Sequence, residues 1–237
     1  MAETVIFDID GTLLDSVDLH AQAWQEAFRH FGHEISFDQI RGQIGKGGDQ
    51  LLPVFLSSAE LKEKSKALEE FRGSLFKQKY LPKVRSFPCV RELFQKLKAN
   101  GQQVALASSA KPDELQTFER IANIEDLVGV ETSSGDAERS KPHPDIFEAA
   151  LERLGKVRRE EIVVVGDSPY DAEAAGKAGL RTVGVLCGGF SEAALREAGC
   201  VAIYADPADL LKRYEDSPLA KRSLSRAAAN PGTQRHS

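Results

Sequence analysis

The chain has 237 residues, 41% of them apolar and 28% charged, which is ordinary for a soluble globular protein with one large domain or a domain plus a smaller module. Its formal charge of −5 gives no reason to expect nucleic acid as a partner, and no apolar run approaches the ~20 residues needed to cross a bilayer. The start, Met1-Ala2-Glu3-Thr4, lacks the basic n-region of a secretory leader, and Cys89, Cys187 and Cys200 are scattered without metal-ligand spacing. They read as reduced thiols in or near the core, and a cytoplasmic location is expected.

Residues 4–10 form the first predicted strand, with Val5-Ile6-Phe7 running into Asp8-Ile9-Asp10-Gly11-Thr12. Strand alternation puts Asp8 and Asp10 on one face at the carboxyl end, the edge where open parallel sheets hold ligands. Two carboxylates so close repel each other, and a divalent cation is the usual compensation. From Asp15 to about Tyr80 the apolar period turns helical: Leu19, Ala23, Ala27 and Phe28 recur at three-to-four spacing, as do Leu61, Leu68, Phe71, Leu75 and Phe76. With no convincing strand, this stretch reads as an inserted helical module, broken at 42–49 by glycines that mark an unusual turn or a close backbone approach.

Beyond Pro88 helices and strands alternate. Helices are expected at 90–99, around 113–122, and at 146–154, 172–178 and 192–198, with strands at 104–107, 127–130, 162–165, 182–185 and 201–204. Gly101, Gly155, Gly179 and Gly199 suit left-handed positions just past helix ends, and Asp206-Pro207 suits the start of a last helix. All-apolar strands in an αβ rhythm predict an α/β fold, a Rossmann-like doubly wound parallel sheet covered on both faces. Residues 216–237 carry Lys221, Arg222, Arg226 and Arg235 and lack a sustained apolar period, so a disordered basic tail is expected.

Three more polar groups fall at predicted strand ends: Ser108-Ser109, Ser140-Lys141-Pro142, and Gly166-Asp167 with Asp171 four residues on. Singly, each has a bland explanation as a helix cap, a surface lysine or an acidic turn. On successive parallel strands they converge on one edge with Asp8 and Asp10. Together they supply a nucleophile, an acid/base, a hydroxyl donor, a cation and metal-binding acids.

Asp8-x-Asp10, Ser108, Lys141 and Gly166-Asp167-x-x-x-Asp171 resemble, in order, the four motifs of the haloacid dehalogenase superfamily, over about residues 4–205. The helical insert resembles the C1 cap of the β-phosphoglucomutase and phosphoglycolate phosphatase branch. The resemblance implies a core of residues 1–15 and 81–215 and a cap of residues 16–80. It implies catalysis by Asp8 as nucleophile, Asp10 as acid/base and Lys141, with Mg²⁺ held by Asp8, the Asp10 carbonyl and Asp167. Phosphoryl contacts would come from Ser108, Ser109, Lys141, Gly11 and Thr12; Asp171 would orient Lys141 or support the metal, and Thr12 would fix Asp10. An acid at position 10 suits an alkoxide leaving group, which neither dehalogenases nor phosphonatases must protonate.

His20 and Trp24 match in spacing the residues this branch carries at the domain junction; alternatively they are a hinge residue and a core aromatic. Gly45-Lys46-Gly47 stands where the mutases place a phosphate-gripping arginine, so Lys46 is expected to touch substrate, with little to pack against. Cys89 replaces the glycine usual after Pro88. The expected function is Mg²⁺-dependent hydrolysis of a small phosphorylated metabolite, phosphoglycolate-like or a sugar phosphate, by a monomer or, alternatively, a dimer. A β-phosphoglucomutase-type phosphomutase is the alternative, and a non-catalytic binding protein with a basic recruiting tail is the remote one.

Overall fold

A computed structural model describes residues 2–220. In chain order the elements are β1 (Thr4–Phe7), β2 (Leu14–Asp15), α1 (Val17–His30), α2 (Phe37–Arg41), α3 (Gly48–Phe55), α4 (Ser58–Leu75) and β3 (Arg85–Ser86). Next come α5 (Val90–Ala99), β4 (Gln103–Ala107), α6 (Pro112–Ala122), β5 (Val130–Thr132), α7 (Asp145–Leu154) and β6 (Ile162–Gly166). The last are α8 (Pro169–Lys177), β7 (Arg181–Val185), α9 (Glu192–Glu197), β8 (Cys200–Tyr204) and α10 (Pro207–Lys212).

Six strands form one parallel sheet in the order β5-β4-β1-β6-β7-β8. The strands are buried runs such as Ile162-Val163-Val164-Val165, because helices cover both faces. The chain winds from β1 outward through β4 to β5, then returns to the other side of β1 with β6. Strand order therefore reverses at β1, and a ligand crevice opens at the carboxyl end of such a switch point. Phe7 lies beside both Leu106 and Val165, so the residues that follow the three strands emerge together.

The helices α1–α4 close over an apolar cluster of their own, built on Trp24, Phe28, Ile40, Leu51 and Leu68. Ser36 with Gln39 and Ser57 with Glu60 form reciprocal caps that begin α2 and α4. The chain leaves for these helices along β2 and returns along β3, and the two strands pair antiparallel, Leu14 beside Ser86 and Asp15 beside Arg85. This ribbon is absent from the sequence reading, which saw no strand here; two-residue strands are too short to show an alternation. The end of α4 also tightens differently from a regular helix, passing through a π-turn at Phe76–Tyr80 and a 3₁₀ turn at Leu81–Lys83.

The expected strand at 127–130 is shifted: β5 begins only at Val130, where pairing with Ala105 of β4 starts. Leu127 instead closes a turn on the Ile124 carbonyl after Asn123, which takes the left-handed conformation. Gly101, Gly155, Gly179 and Gly199 all have positive φ after helix ends, and Asp206 caps α10. Of the expected tail, residues 217–220 are packed on the body: Ser217, Leu219 and Ala220 are buried, and the Leu219 carbonyl accepts from Gln102 Nε2 at 2.8 Å. The basic residues from Lys221 onward lie outside the described residues.

Cys89, where the family resemblance leads one to expect glycine, sits at φ 62° at the start of α5. A residue with a Cβ is strained there by roughly 1 kcal/mol. Cys89→Gly should therefore raise stability by about 1 kcal/mol, seen as a rise of about 2–4 °C in Tm by thermal denaturation.

Candidate active site

Asp8 follows β1 directly, and its N–H donates to the Val165 carbonyl of β6 at 2.9 Å, so the sheet ladder fixes its backbone. Ser108 follows β4 and donates its N–H to the Thr132 carbonyl, while its hydroxyl oxygen accepts from Ala110 N at 3.1 Å. Asp167 follows β6. Lys141 enters from the loop before α7 and is buried to 1% exposure. Its ammonium pairs closely with Asp8, lies 2.7 Å from Asp171 Oδ1, and donates to the Ala107 carbonyl at 3.3 Å.

Asp171 has two tasks. As the third residue of α8 it accepts from Ser168 N and from Ser168 Oγ at 2.6 Å, closing the helix start, and its other oxygen holds Lys141. Gly166 lets this happen, since a Cβ there would lie 2.6 Å from the Asp171 Cβ. Asp167 is similarly enclosed. Gly11 has φ +83°, and a Cβ on either Gly11 or Gly188 would overlap the Asp167 carboxyl group.

Ligand atoms of Asp8, Asp167 and Asp171 lie within 4.8 Å of one another. Burial pushes the Asp8 carboxyl up to about 7, against the pull of Lys141 and with the help of Asp171 and Asp10. Burial, then Asp171 and Asp8, hold Asp167 well above the usual carboxylate range. Lys141 is held above its ordinary value because Asp171 and Asp8 outweigh the burial that disfavours its charge. One lysine thus compensates three crowded carboxylates incompletely. The oxygen donor set and the surplus negative charge fit a hard divalent cation.

Thr12 donates to Asp167 Oδ1 at 3.1 Å and reaches Asp8 Oδ2 at 3.5 Å, so it braces those two acids and not Asp10 as expected. The N–H groups of Gly11 and Thr12 are spent on the carbonyls of Leu14 and Ile9 inside the turn. The carboxylate of Asp10 stands apart from the three-acid cluster: Ser16 Oγ donates to it at 2.5 Å and His20 Nε2 lies at 2.9 Å. Both contacts fall on Oδ1. Burial pushes Asp10 up, but His20 and Ser16, with Arg72 beyond, outweigh it and hold it below the usual range.

His20 is buried, stacked on Phe76 with centroids 4.0 Å apart, and its Nδ1 meets Arg72 Nη2. A guanidinium can only donate, so Nδ1 accepts and the Nε2–H donates to Asp10. Arg72 in turn lies over the ring of Trp24 at 5.1 Å. Arg72 escaped the sequence reading, though a signal existed. It falls midway between the buried Leu68 and Phe76 at spacings of four, an arginine in an apolar stripe.

A cleft of about 480 Å³ lies between the helical module and the sheet edge. It is lined by Asp8, Asp10, His20, Trp24, Ser109 and the 44–49 loop, and also by Arg72, Glu69 and Glu114. The loop packs tightly on the core: a Cβ on Gly47 would overlap Ser140, and one on Gly45 would lie 2.8 Å from Ser168 Oγ. Asp49 Oδ2 accepts from Ser140 N at 3.0 Å, and Tyr170 OH donates to the Gly42 carbonyl at 2.5 Å. Lys46 is not short of packing, contrary to expectation. Its ammonium donates to Gln43 Oε1 at 2.6 Å and lies 4.6 Å over the Tyr170 ring.

Residues 5–185 match the model of the haloacid dehalogenase-like hydrolase family. A phosphorylated carbohydrates phosphatase of Thermotoga maritima is 32% identical over 205 residues, covering 85% of this chain and 93% of the relative. A putative pyrophosphatase of Caldanaerobacter subterraneus is 33% identical over 189 residues, covering 76% and 80%. A hydrolase from Pseudomonas syringae superposes with a TM-score of 0.82 at 28% identity, over 90% of this chain and 98% of that structure.

Removing Lys141 would leave Asp8, Asp167 and Asp171 uncompensated in a buried site. Lys141→Met should cost about 3–5 kcal/mol in guanidinium unfolding without divalent cation, and adding Asp171→Asn should recover part of that loss.

Proposed function

The chain belongs to the haloacid dehalogenase-like hydrolase family, and from that premise we propose that it is a Mg²⁺-dependent phosphatase of a small phosphorylated metabolite. The observation that carries this reading is the meeting of Asp8, Lys141, Asp167 and Asp171 beside the cleft, with Asp10 held at its edge by His20 and Ser16. Asp8 attacks phosphorus, the P–O bond to the alcohol breaks, and an aspartyl-phosphate forms; water then attacks that phosphorus, releasing phosphate and regenerating the Asp8 carboxylate. Asp10, ionised at rest, takes a proton from the attacking water in the second step, and in the first step passes to the departing alkoxide a proton it has taken up from solvent. Its contacts with Ser16 and His20 keep the carboxyl group aimed during both transfers.

Lys141 and the Ser108 hydroxyl hold the phosphoryl oxygens as charge spreads over them. Asp171 fixes Lys141 from behind at 2.7 Å. Mg²⁺, held by Asp8, Asp167 and the Asp10 carbonyl, would reduce repulsion between the Asp8 carboxylate and the phosphoryl dianion. The helices α1–α4 act as a cap that excludes water, its loop seated on Ser140 and Tyr170. The Thermotoga and Caldanaerobacter relatives, named for phosphate-releasing activities, support the reaction class. A phosphomutase needs a second phosphate grip, and the one cation of the 44–49 loop, Lys46, is already engaged by Gln43 and Tyr170.

Asp8→Asn should abolish phosphate release with Mg²⁺ while leaving the circular dichroism spectrum unchanged, because the amide keeps the shape but is a poor nucleophile. Turnover within tenfold of wild type would overturn the mechanism. Exhaustive EDTA treatment should remove activity, and added Mg²⁺ should restore it; full activity in the chelated protein would exclude the metal's role.

A further inference from the structure

Resting on the phosphatase reading, we propose that Arg72 and Glu114 form a leaving-group subsite that selects a neutral, polyhydroxylated alcohol and rejects a second anionic group. Arg72 comes from α4 of the cap and Glu114 from the first turn of α6 in the core, and both line the cleft beyond Asp10. Glu114 is 6% exposed, yet among the described residues its carboxylate makes no hydrogen bond or ion pair. Arg72 spends Nη2 on His20, but its Nε is a buried donor without an acceptor.

Two opposite charges in one cleft would ordinarily close into an ion pair. Here they influence each other electrostatically without coming within 4.0 Å. Cap and core thus present a spare donor and a spare acceptor to the same space. A hydroxyl group satisfies both sides, accepting from the guanidinium and donating to the carboxylate. A carboxylate or phosphate there would face Glu114 directly, with Glu69 and Asp49 further along the wall. An ammonium group would face Arg72. Neutral hydroxyls escape both penalties, and burial of Glu114 makes an unpaired neighbour costly.

Three other lysines line the cleft: Lys111, whose charge acts on Glu69, and two that are engaged by neighbours. Lys77 is paired with Asp113 at 2.6 Å, and Lys46 is held by Gln43. Burying a polyol between the two groups would also tie the cap to the core, coupling closure to the presence of the right alcohol.

The test compares kcat/KM with Mg²⁺ for glucitol 6-phosphate, 2-phosphoglycolate, pyrophosphate and p-nitrophenyl phosphate, in wild type, Glu114→Gln and Glu114→Asp. Wild type should favour glucitol 6-phosphate over 2-phosphoglycolate and pyrophosphate by at least roughly tenfold. Glu114→Gln should shrink that preference about tenfold, partly through a gain on 2-phosphoglycolate, because the repelling charge is gone. Glu114→Asp keeps the charge but withdraws the acceptor, so it should lose glucitol 6-phosphate relative to p-nitrophenyl phosphate while still rejecting 2-phosphoglycolate. A wild-type enzyme that turns over 2-phosphoglycolate or pyrophosphate faster than glucitol 6-phosphate overturns the proposal, whatever the variants do. So does a Glu114→Gln variant with unchanged substrate ratios, the signature of a merely structural carboxylate. Absence of p-nitrophenyl phosphate hydrolysis by wild type would instead overturn the phosphatase reading itself.

Discussion

Three carboxylates share one buried ammonium at the carboxyl end of the sheet, and much of the structure serves that arrangement. Lys141 pairs with Asp8 and Asp171 while Asp167 lies against them, hydrogen-bonded to Thr12. Burying like charges is costly unless they are hydrogen-bonded and opposed. The fold meets that cost with fixed donors: Thr12 for Asp8 and Asp167, Ser168 for Asp171, and the β6 ladder for the backbone of Asp8. Glycines at 11, 166 and 188 clear the volume these carboxyl groups occupy. The remaining excess of negative charge is what makes the pocket receptive to a divalent cation.

Asp10 belongs to a different electrostatic compartment although only Ile9 separates it from Asp8. Its carboxylate is turned to Ser16 and His20 at the start of the helical module. Burial therefore pushes Asp8 up, whereas His20 and Ser16 outweigh the burial of Asp10 and pull it down. The chain His20–Arg72–Trp24 extends this control into α4, so the Asp10 carboxylate is positioned by the module that covers the cleft. The core supplies Asp8, Lys141 and Asp167, and the module supplies the His20 contact that holds Asp10.

The module and the core are also joined at the loop that carries Lys141. Asp49 holds the amide of Ser140, the residue immediately before Lys141, and Tyr170 of the Asp167–Asp171 segment holds Gly42 and supports Lys46. Movement of the 42–49 loop would thus be felt by both loops that carry the buried charges. Glycines 45 and 47 are required here by close approach to Ser168 and Ser140.

The parallel sheet was legible because its strands are all-apolar runs bounded by helix-ending glycines, a pattern set by burial on both faces and by local backbone geometry. Asp8, Ser108 and Asp167 were legible because each immediately follows a strand of that pattern, and Lys141 because it lies in the loop that leads into a helix; strand ends are brought together by topology alone. Long-range orientation was not legible. Thr12 could have served either neighbouring acid, and only the path of β6 decided that it braces Asp8 and Asp167. Arg72 and Glu114 lie 42 positions apart, one on a cap helix and one on a core helix, and only the docking of the two helices sets them across one cleft. Local periodicity and strand-end chemistry belong to the sequence, since they depend on near neighbours. The partner of each buried charge belongs to the tertiary structure, since it depends on which distant element arrives at the same point.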